Sequence, residues 1–149
     1  MKEQIKLLEK FHEAFGHPVA KEPVFLTEER MALRINLIQE ELNELEESML
    51  VNYTPDIVKE ICDLLVVTFG TIVELGIQDI VEDAFAEVMR SNMTKLGVDG
   101  KPIYRQDGKI LKSPLYEEAD IARVLTEARE RMMRTFDSDK VKDNVANSF

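Results

Sequence analysis

Residues 40–63 read EELNELEESMLVNYTPDIVKEICD, and two acidic pairs in this stretch set the terms for the whole chain. Glu41 and Glu44 are three residues apart, as are Glu60 and Asp63, and residues at that spacing lie side by side on one helix face. Between the pairs, Asn52-Tyr53-Thr54-Pro55-Asp56 reads as a turn followed by a helix start, with Thr54 at the cap and Pro55 at the first helical position. The spacing therefore predicts two consecutive antiparallel helices joined by a short turn. If the two pairs face each other, four carboxylates surround one point. Such a cluster repels itself unless its pKa values shift or divalent cations neutralise it. Hard oxygen ligands without thiolate or imidazole suit Mg²⁺ or Mn²⁺, and a site of that kind suits phosphates. Taken alone, the Glu40–Glu47 run also fits a solvated helix face. The Glu60–Asp63 pair fits that reading less well, because its helix lacks a polar face.

Working outward, Met31, Ile35, Ile38, Leu42, Leu45 and Met49 recur every three or four residues behind a Thr27 cap, with Glu28 and Glu29 in the first turn. This stripe is expected to bury one face of the helix. Ile57 to Leu75 is apolar nearly all round, the pattern of a central buried element, and Gly76 stops it. Residues 3–15 place Ile5, Leu8, Phe11 and Phe15 at helical spacing before Gly16 and Pro18. A helix from about Asp79 to Leu96 carries Ile80, Ala84, Phe85, Val88 and Met89 inward, with Gly97 at its end. Asp99-Gly100 and Asp107-Gly108 mark turns, the second between Ile103-Tyr104-Arg105 and Lys109-Ile110-Leu111, which is a short-hairpin pattern. A last helix, about 119–134, carries Ile121, Val124, Leu125, Ala128 and Met132 on one side. The expected fold is all-α: an antiparallel bundle of about five helices with a small hairpin appendage near 99–112. It forms a single domain over residues 1–136, and 137–149 is a polar tail.

The 149 residues suffice for one domain with a core of its own. No apolar run reaches the length of a membrane span, and no apolar stretch follows Met1-Lys2-Glu3-Gln4 as a signal peptide would require. The lone Cys62 excludes an intrachain disulfide, fits a reducing cytoplasm and is expected to pack in the core. A net charge of −10 argues against a nucleic-acid partner. Charge is unevenly spread: residues 90–112 carry six basic side chains against two acids, a net of +4, so the remainder carries −14. An acidic body with one basic segment could hold cations on one side and anionic ligand groups on the other; an acidic surface kept for solubility explains the total but not the segregation.

Glu40-Glu41-x-x-Glu44, fifteen residues, then Glu60-x-x-Asp63 resembles the signature of the all-α nucleoside-triphosphate pyrophosphohydrolases. That superfamily groups MazG proteins with dimeric dUTPases and phosphoribosyl-ATP pyrophosphohydrolase. Phe11-His12-x-x-Phe15-Gly16-x-Pro18, Arg90-Ser91-Asn92-Met93-x-Lys95, Asp99-Gly100-Lys101-Pro102-Ile103 and Asp107-Gly108-Lys109 extend the similarity over roughly residues 8–116. The resemblance implies that Glu41, Glu44, Glu60 and Asp63 bind Mg²⁺, with Mn²⁺ as the alternative, and that Glu40 orients or deprotonates the attacking water. It also implies cleavage between the α- and β-phosphates of a nucleotide, and assembly as homodimers, with pairing into tetramers left open. Asn92 and Lys95 share a helix face and match the family as phosphate or nucleotide contacts; Lys95 also reads as a last-turn cation stabilising a helix C-terminus. Arg90, Lys101, Arg105 and Lys109 read either as a basic flap over the phosphates or as solvated charges.

The resemblance leaves three functions to weigh. House-cleaning hydrolysis of (deoxy)nucleoside triphosphates is preferred over phosphoribosyl-ATP hydrolysis in histidine biosynthesis. A non-enzymatic nucleotide or metal sensor is the third. A di-iron carboxylate bundle needs Glu-x-x-His pairs, and neither His12 nor His17 follows an acid at that spacing. His12 reads as a core or rim residue.

Overall fold

In the computed structural model, the backbone is described for residues 1–146 and side chains for residues 1–134. Five helices run in order: α1 (Lys2–Phe15), α2 (Glu28–Val51), α3 (Thr54–Leu75), α4 (Val81–Met93) and α5 (Ile121–Ala146). Among the described residues the one β-type pairing is an isolated antiparallel bridge, Tyr104 to Ile110, so the fold is all-α as expected. No helix of the described residues is long and apolar enough to cross a membrane. The chain divides into two compact units, Met1–Gln78 and Asp79–Phe149. The helical backbone of α5 runs through most of the segment read as a polar tail; residues 147–149 and the side chains from 135 onward lie outside the described residues.

In the first unit α3 packs against both α1 and α2. Thr27 caps α2 as the sequence indicated, its side chain accepting from the Arg30 N–H at 3.2 Å. The α2–α3 turn is made by Asn52 in the left-handed region (φ 58°), a conformation that asparagine tolerates better than most residues. The connector between α1 and α2 returns along the end of α3: Ala20 N–H donates to Val73 O at 3.1 Å and Val24 N–H to Leu75 O at 3.0 Å. It passes so close to Gly76 (φ 68°) that a Cβ there would sit 1.9 Å from the Glu22 carbonyl oxygen.

What α2 buries differs from the expectation. Its buried residues are Arg34 and Ser48, whereas Met31, Leu42 and Met49 of the apolar stripe are about half exposed and Ile35 is 62% exposed. On α3, Val67, Ile72 and Val73 are buried, but Val58, Ile61, Leu65 and Val66 are exposed, so this helix is not buried all round. The reason is polar. Glu74, only 1% exposed, accepts from Arg30 Nε and Nη2, both at 2.5 Å, and from Arg34 Nη1 at 3.4 Å. Arg34 also donates to Thr71 Oγ1 at 3.0 Å and to the Val67 carbonyl. Once this ladder occupies the α2–α3 seam, the apolar stripe must turn away from it.

The same ladder explains two residues of α1 and α3. His12 is buried and bonds through Nδ1 to the Pro18 carbonyl at 2.9 Å; a carbonyl only accepts, so the proton sits on Nδ1. Of the core and rim readings that the sequence left open, it takes the core one. Gly70 leaves room for both neighbours, since a Cβ there would lie 2.8 Å from Arg34 Nη2 and 2.9 Å from His12 Nε2. Cys62 is exposed, not packed in the core, because it falls on the outward side of α3. On α1, Ile5 and Leu8 are buried while Phe11 and Phe15 stack on each other at 4.5 Å on an exposed face.

In the second unit α4 and α5 pack together, with Val124 and Ala128 of α5 buried; Phe85, Val88 and Met89 of α4, expected inward, are exposed. The buried groups of α4 are again polar, Glu87 and Ser91. Glu87 accepts from Arg90 (2.9 Å), from Arg123 Nη2 (3.1 Å) and from the Asp120 N–H (2.8 Å). Asp120 in turn caps α5 by accepting from the Arg123 N–H at 2.9 Å. The two Asp-Gly-Lys repeats form the same small turn: Asp99 and Asp107 each accept from the N–H of the lysine two residues on, at 3.0 and 3.2 Å, over glycines at φ 73° and 86°.

Glu74→Gln leaves the buried guanidinium of Arg34 and the half-buried one of Arg30 without a counter-charge. It is expected to lower the unfolding free energy by about 3–5 kcal/mol in a urea titration followed by circular dichroism; a loss below about 1 kcal/mol would show that the ladder does not hold α2 on α3. In the second unit, hydrogen bonds from Arg90, then the Asp120 N–H, then the charges of Arg90 and Arg123 bring Glu87 down to about 2 from the usual 4.5. The folded form thus binds this proton less readily than the unfolded chain. Its stabilising contribution is complete above about 4.5 and disappears as the pH falls to about 2. The gap in thermal midpoint between wild type and Glu87→Gln is expected to stay constant above pH 5 and close toward pH 2; a gap independent of pH would exclude the linkage.

Candidate metal centre

The Arg30–Glu74 pair sets the register of α2 on α3. Eleven residues separate Arg30 from Glu41 on one helix, and eleven separate Asp63 from Glu74 on the other. Each interval is about three helical turns, so an antiparallel pair locked at Arg30–Glu74 returns Glu41 to the seam opposite Asp63. One further turn brings Glu44 level with Glu60. Glu41, Glu60 and Asp63 do converge: each offers a carboxylate oxygen, and these oxygens lie within 4.8 Å of one another. Glu60 is buried, and Glu41 and Asp63 are half-buried.

Glu44 is exposed and lies outside this trio, yet its charge is the largest of those acting on Glu41. Burial above all, then the charges of Glu44, Asp63 and Glu60, push the Glu41 carboxyl above its ordinary value; Lys59 opposes them. The geometry therefore carries the electrostatic strain expected of crowded acids. Glu40 is exposed on α2 and is not one of the converging ligands.

Lys59 is a member of this cluster that the sequence reading passed over. Its ammonium lies 2.8 Å from Asp63 Oδ2 and 3.0 and 3.1 Å from the two Glu60 oxygens. Hydrogen bonds to Asp63 and Glu60 push its pKa well above the usual lysine range. The signal was present, since a lysine four residues before an aspartate on a helix is a side-chain pair. Arg30, Arg34 and Glu74 were also missed, although a glutamate inside Thr71-Ile72-Val73-Glu74-Leu75 demands a buried partner as much as Glu60 does.

The donor set suits a small divalent ion. Three carboxylate oxygens and no nitrogen or sulfur are hard ligands. Opposite ligands around Mg²⁺ stand roughly 4.2 Å apart, so the trio closes on an ion by small side-chain rotations. Glu41 and Glu60 come from different helices, so an ion between them also joins α2 to α3.

A model of the phosphoribosyl-ATP pyrophosphohydrolase family matches residues 8–92, which cover the second half of α1, all of α2 and α3 and nearly all of α4. The chain belongs to that family. It is therefore a member of the MazG-like all-α nucleotide pyrophosphohydrolase superfamily, whose enzymes hydrolyse acid anhydrides. The family depends on divalent metal ions. No functionally curated protein matches the chain.

The basic candidates belong to the second unit. Lys95 Nζ donates to Asn92 Oδ1 at 2.6 Å. Arg90 is committed to Glu87 and to Glu117, the latter at 2.8 Å. Arg105 pairs with Asp107 at 2.5 Å. Among the described residues no carboxylate lies within ion-pair reach of Lys101 or Lys109, and both are exposed.

Proposed function

We propose that this chain is a Mg²⁺-dependent nucleotide pyrophosphohydrolase that splits the α–β phosphate bond of a (deoxy)nucleoside triphosphate into a nucleoside monophosphate and pyrophosphate, as a house-cleaning activity. The observation that carries this is the meeting of Glu41, Glu60 and Asp63 from consecutive helices in a pyrophosphohydrolase family member. Glu41, Glu60 and Asp63 hold the ion, with Glu44 completing the charge from α2. A divalent cation bound there supplies charge neutralisation to the phosphates and a stronger nucleophile. Glu40, next to the ligands and free of coordination, takes the proton of the water that attacks the α-phosphorus, while the bond to the bridging oxygen breaks and pyrophosphate departs. Lys101 and Lys109 suit phosphate contact best, since among the described residues their ammonium groups make no ion pair, and Asn92, Lys95, Arg90 and Arg105 join them by resemblance to the family.

The family match also supports a second reading, phosphoribosyl-ATP as substrate. The bond broken is the same, and the base and what it carries distinguish the two. Pyrophosphate release is to be measured over a panel of (deoxy)nucleoside triphosphates and phosphoribosyl-ATP, with Mg²⁺ and with chelator. Turnover of a triphosphate that stops on metal removal, and falls at least 100-fold in Glu40→Gln, is expected. Preference for phosphoribosyl-ATP would select the second reading, and inertness on every compound despite metal binding would leave a sensor.

The active species is a homodimer. The apolar stripes of α2 (Met31, Ile35, Leu42, Met49) and of α3 (Val58, Ile61, Leu65) are exposed within one chain, and large apolar surfaces of soluble proteins are covered by partners. A second copy covers them at the least cost in new sequence. Light scattering is expected to give about twice the chain mass of 17.1 kDa; a monomer at micromolar concentration would remove this part of the proposal.

A further inference from the structure

The ammonium of Lys59 occupies both carboxylates that α3 contributes to the metal centre. Its three acceptors, Asp63 Oδ2 at 2.8 Å and the Glu60 oxygens at 3.0 and 3.1 Å, match the three N–H groups of an ammonium. Glu60's side chain is 11% exposed, whereas Lys59's is 61% exposed. The lysine thus reaches inward from solvent to a carboxylate that is otherwise enclosed. A divalent ion that binds Glu60 must take an oxygen that Lys59 now holds, and the two cations repel each other at that distance. Nothing encloses Lys59, and its four-carbon stem can swing the charge back to water.

We propose that Lys59 is a built-in counter-ion of the metal-free site, displaced by the incoming divalent cation and lowering the affinity for the first ion. The proposal rests on the reading of Glu41, Glu60 and Asp63 as metal ligands. In the metal-free chain Lys59 relieves the repulsion among carboxylates fixed by the α2–α3 register. On metal binding it releases a positive charge at the rim of the site. The lysine and the metal are alternative occupants, so Lys59 tunes the metal concentration at which the site fills.

The test is Mn²⁺ binding to the full-length chain, followed by the loss of the free-ion electron paramagnetic resonance signal at fixed pH and low salt. Lys59→Met is expected to lower the Kd about three- to tenfold, because one cation paired with two carboxylates is removed. The difference shrinks as salt screens the pair. Lys59→Arg is expected to bind no tighter than wild type. Lys6→Met makes the same change in net charge at a surface ion pair with Glu3 and is expected to stay within about twofold. An unchanged or raised Kd in Lys59→Met, with helicity retained, overturns the proposal. If Lys59→Met does not fold, Lys59→Gln carries the same comparison. Wild type without saturable Mn²⁺ binding would instead overturn the metal centre itself.

Discussion

Glu74, with no exposed side-chain surface, is gripped by Arg30 and Arg34, and this ionic contact governs the arrangement of the first unit. A buried carboxylate is tolerable only with compensation, and the two arginines can give it in one relative placement of α2 and α3. That placement carries Glu41 to Glu60 and Asp63 three turns away. The centre is thus a second polar rung on a seam whose first rung is already satisfied. Among the described residues the first rung has two arginines of its own and the second has Lys59. The difference explains why one is structural and the other is available to an external ion.

The polar seam also accounts for the outward apolar residues. A helix pair normally buries its leucines and isoleucines between its members. Here the seam is taken by Arg30, Arg34, Glu41, Glu60, Thr71 and Glu74, while Met31, Ile35, Leu42 and Leu65 face outward. The second unit repeats the logic on a smaller scale, with Glu87 drawing Arg90, Arg123 and the start of α5 together. Among the described residues every enclosed side-chain nitrogen and oxygen has a partner, so charge inside this molecule is organised and not merely tolerated.

The helices, the Thr27 cap, the glycine stops of α1 and α3 and the convergence of three of the four acids were legible in the sequence, whereas α4 ends at Met93, short of Gly97. Those features depend on spacing within one helix or on a short turn, which local physics constrains. The direction of the α2 stripe was not legible, because hydrophobic periodicity identifies a face without saying what covers it. Residue Cys62 was misplaced for the same reason. The partners of Glu74 lie about forty positions away, and no local pattern connects them, although the isolated glutamate in an apolar run announced that partners exist. Lys59 was legible as an i,i+4 neighbour of Asp63, but its inward reach to Glu60 emerges only from coordinates.

The equal eleven-residue intervals on α2 and α3 act as a ruler, and they divide the chain by its tolerance of insertions and deletions. Each residue added to a helix turns everything beyond it by about 100°. One residue gained or lost between Arg34 and Glu41, or between Asp63 and Glu74, would aim an acid away from its counterparts while leaving the ionic rung in place. The Asn52 turn lies beyond both rungs, so its length is unconstrained by either of them. In this architecture the joint may vary and the shafts may not.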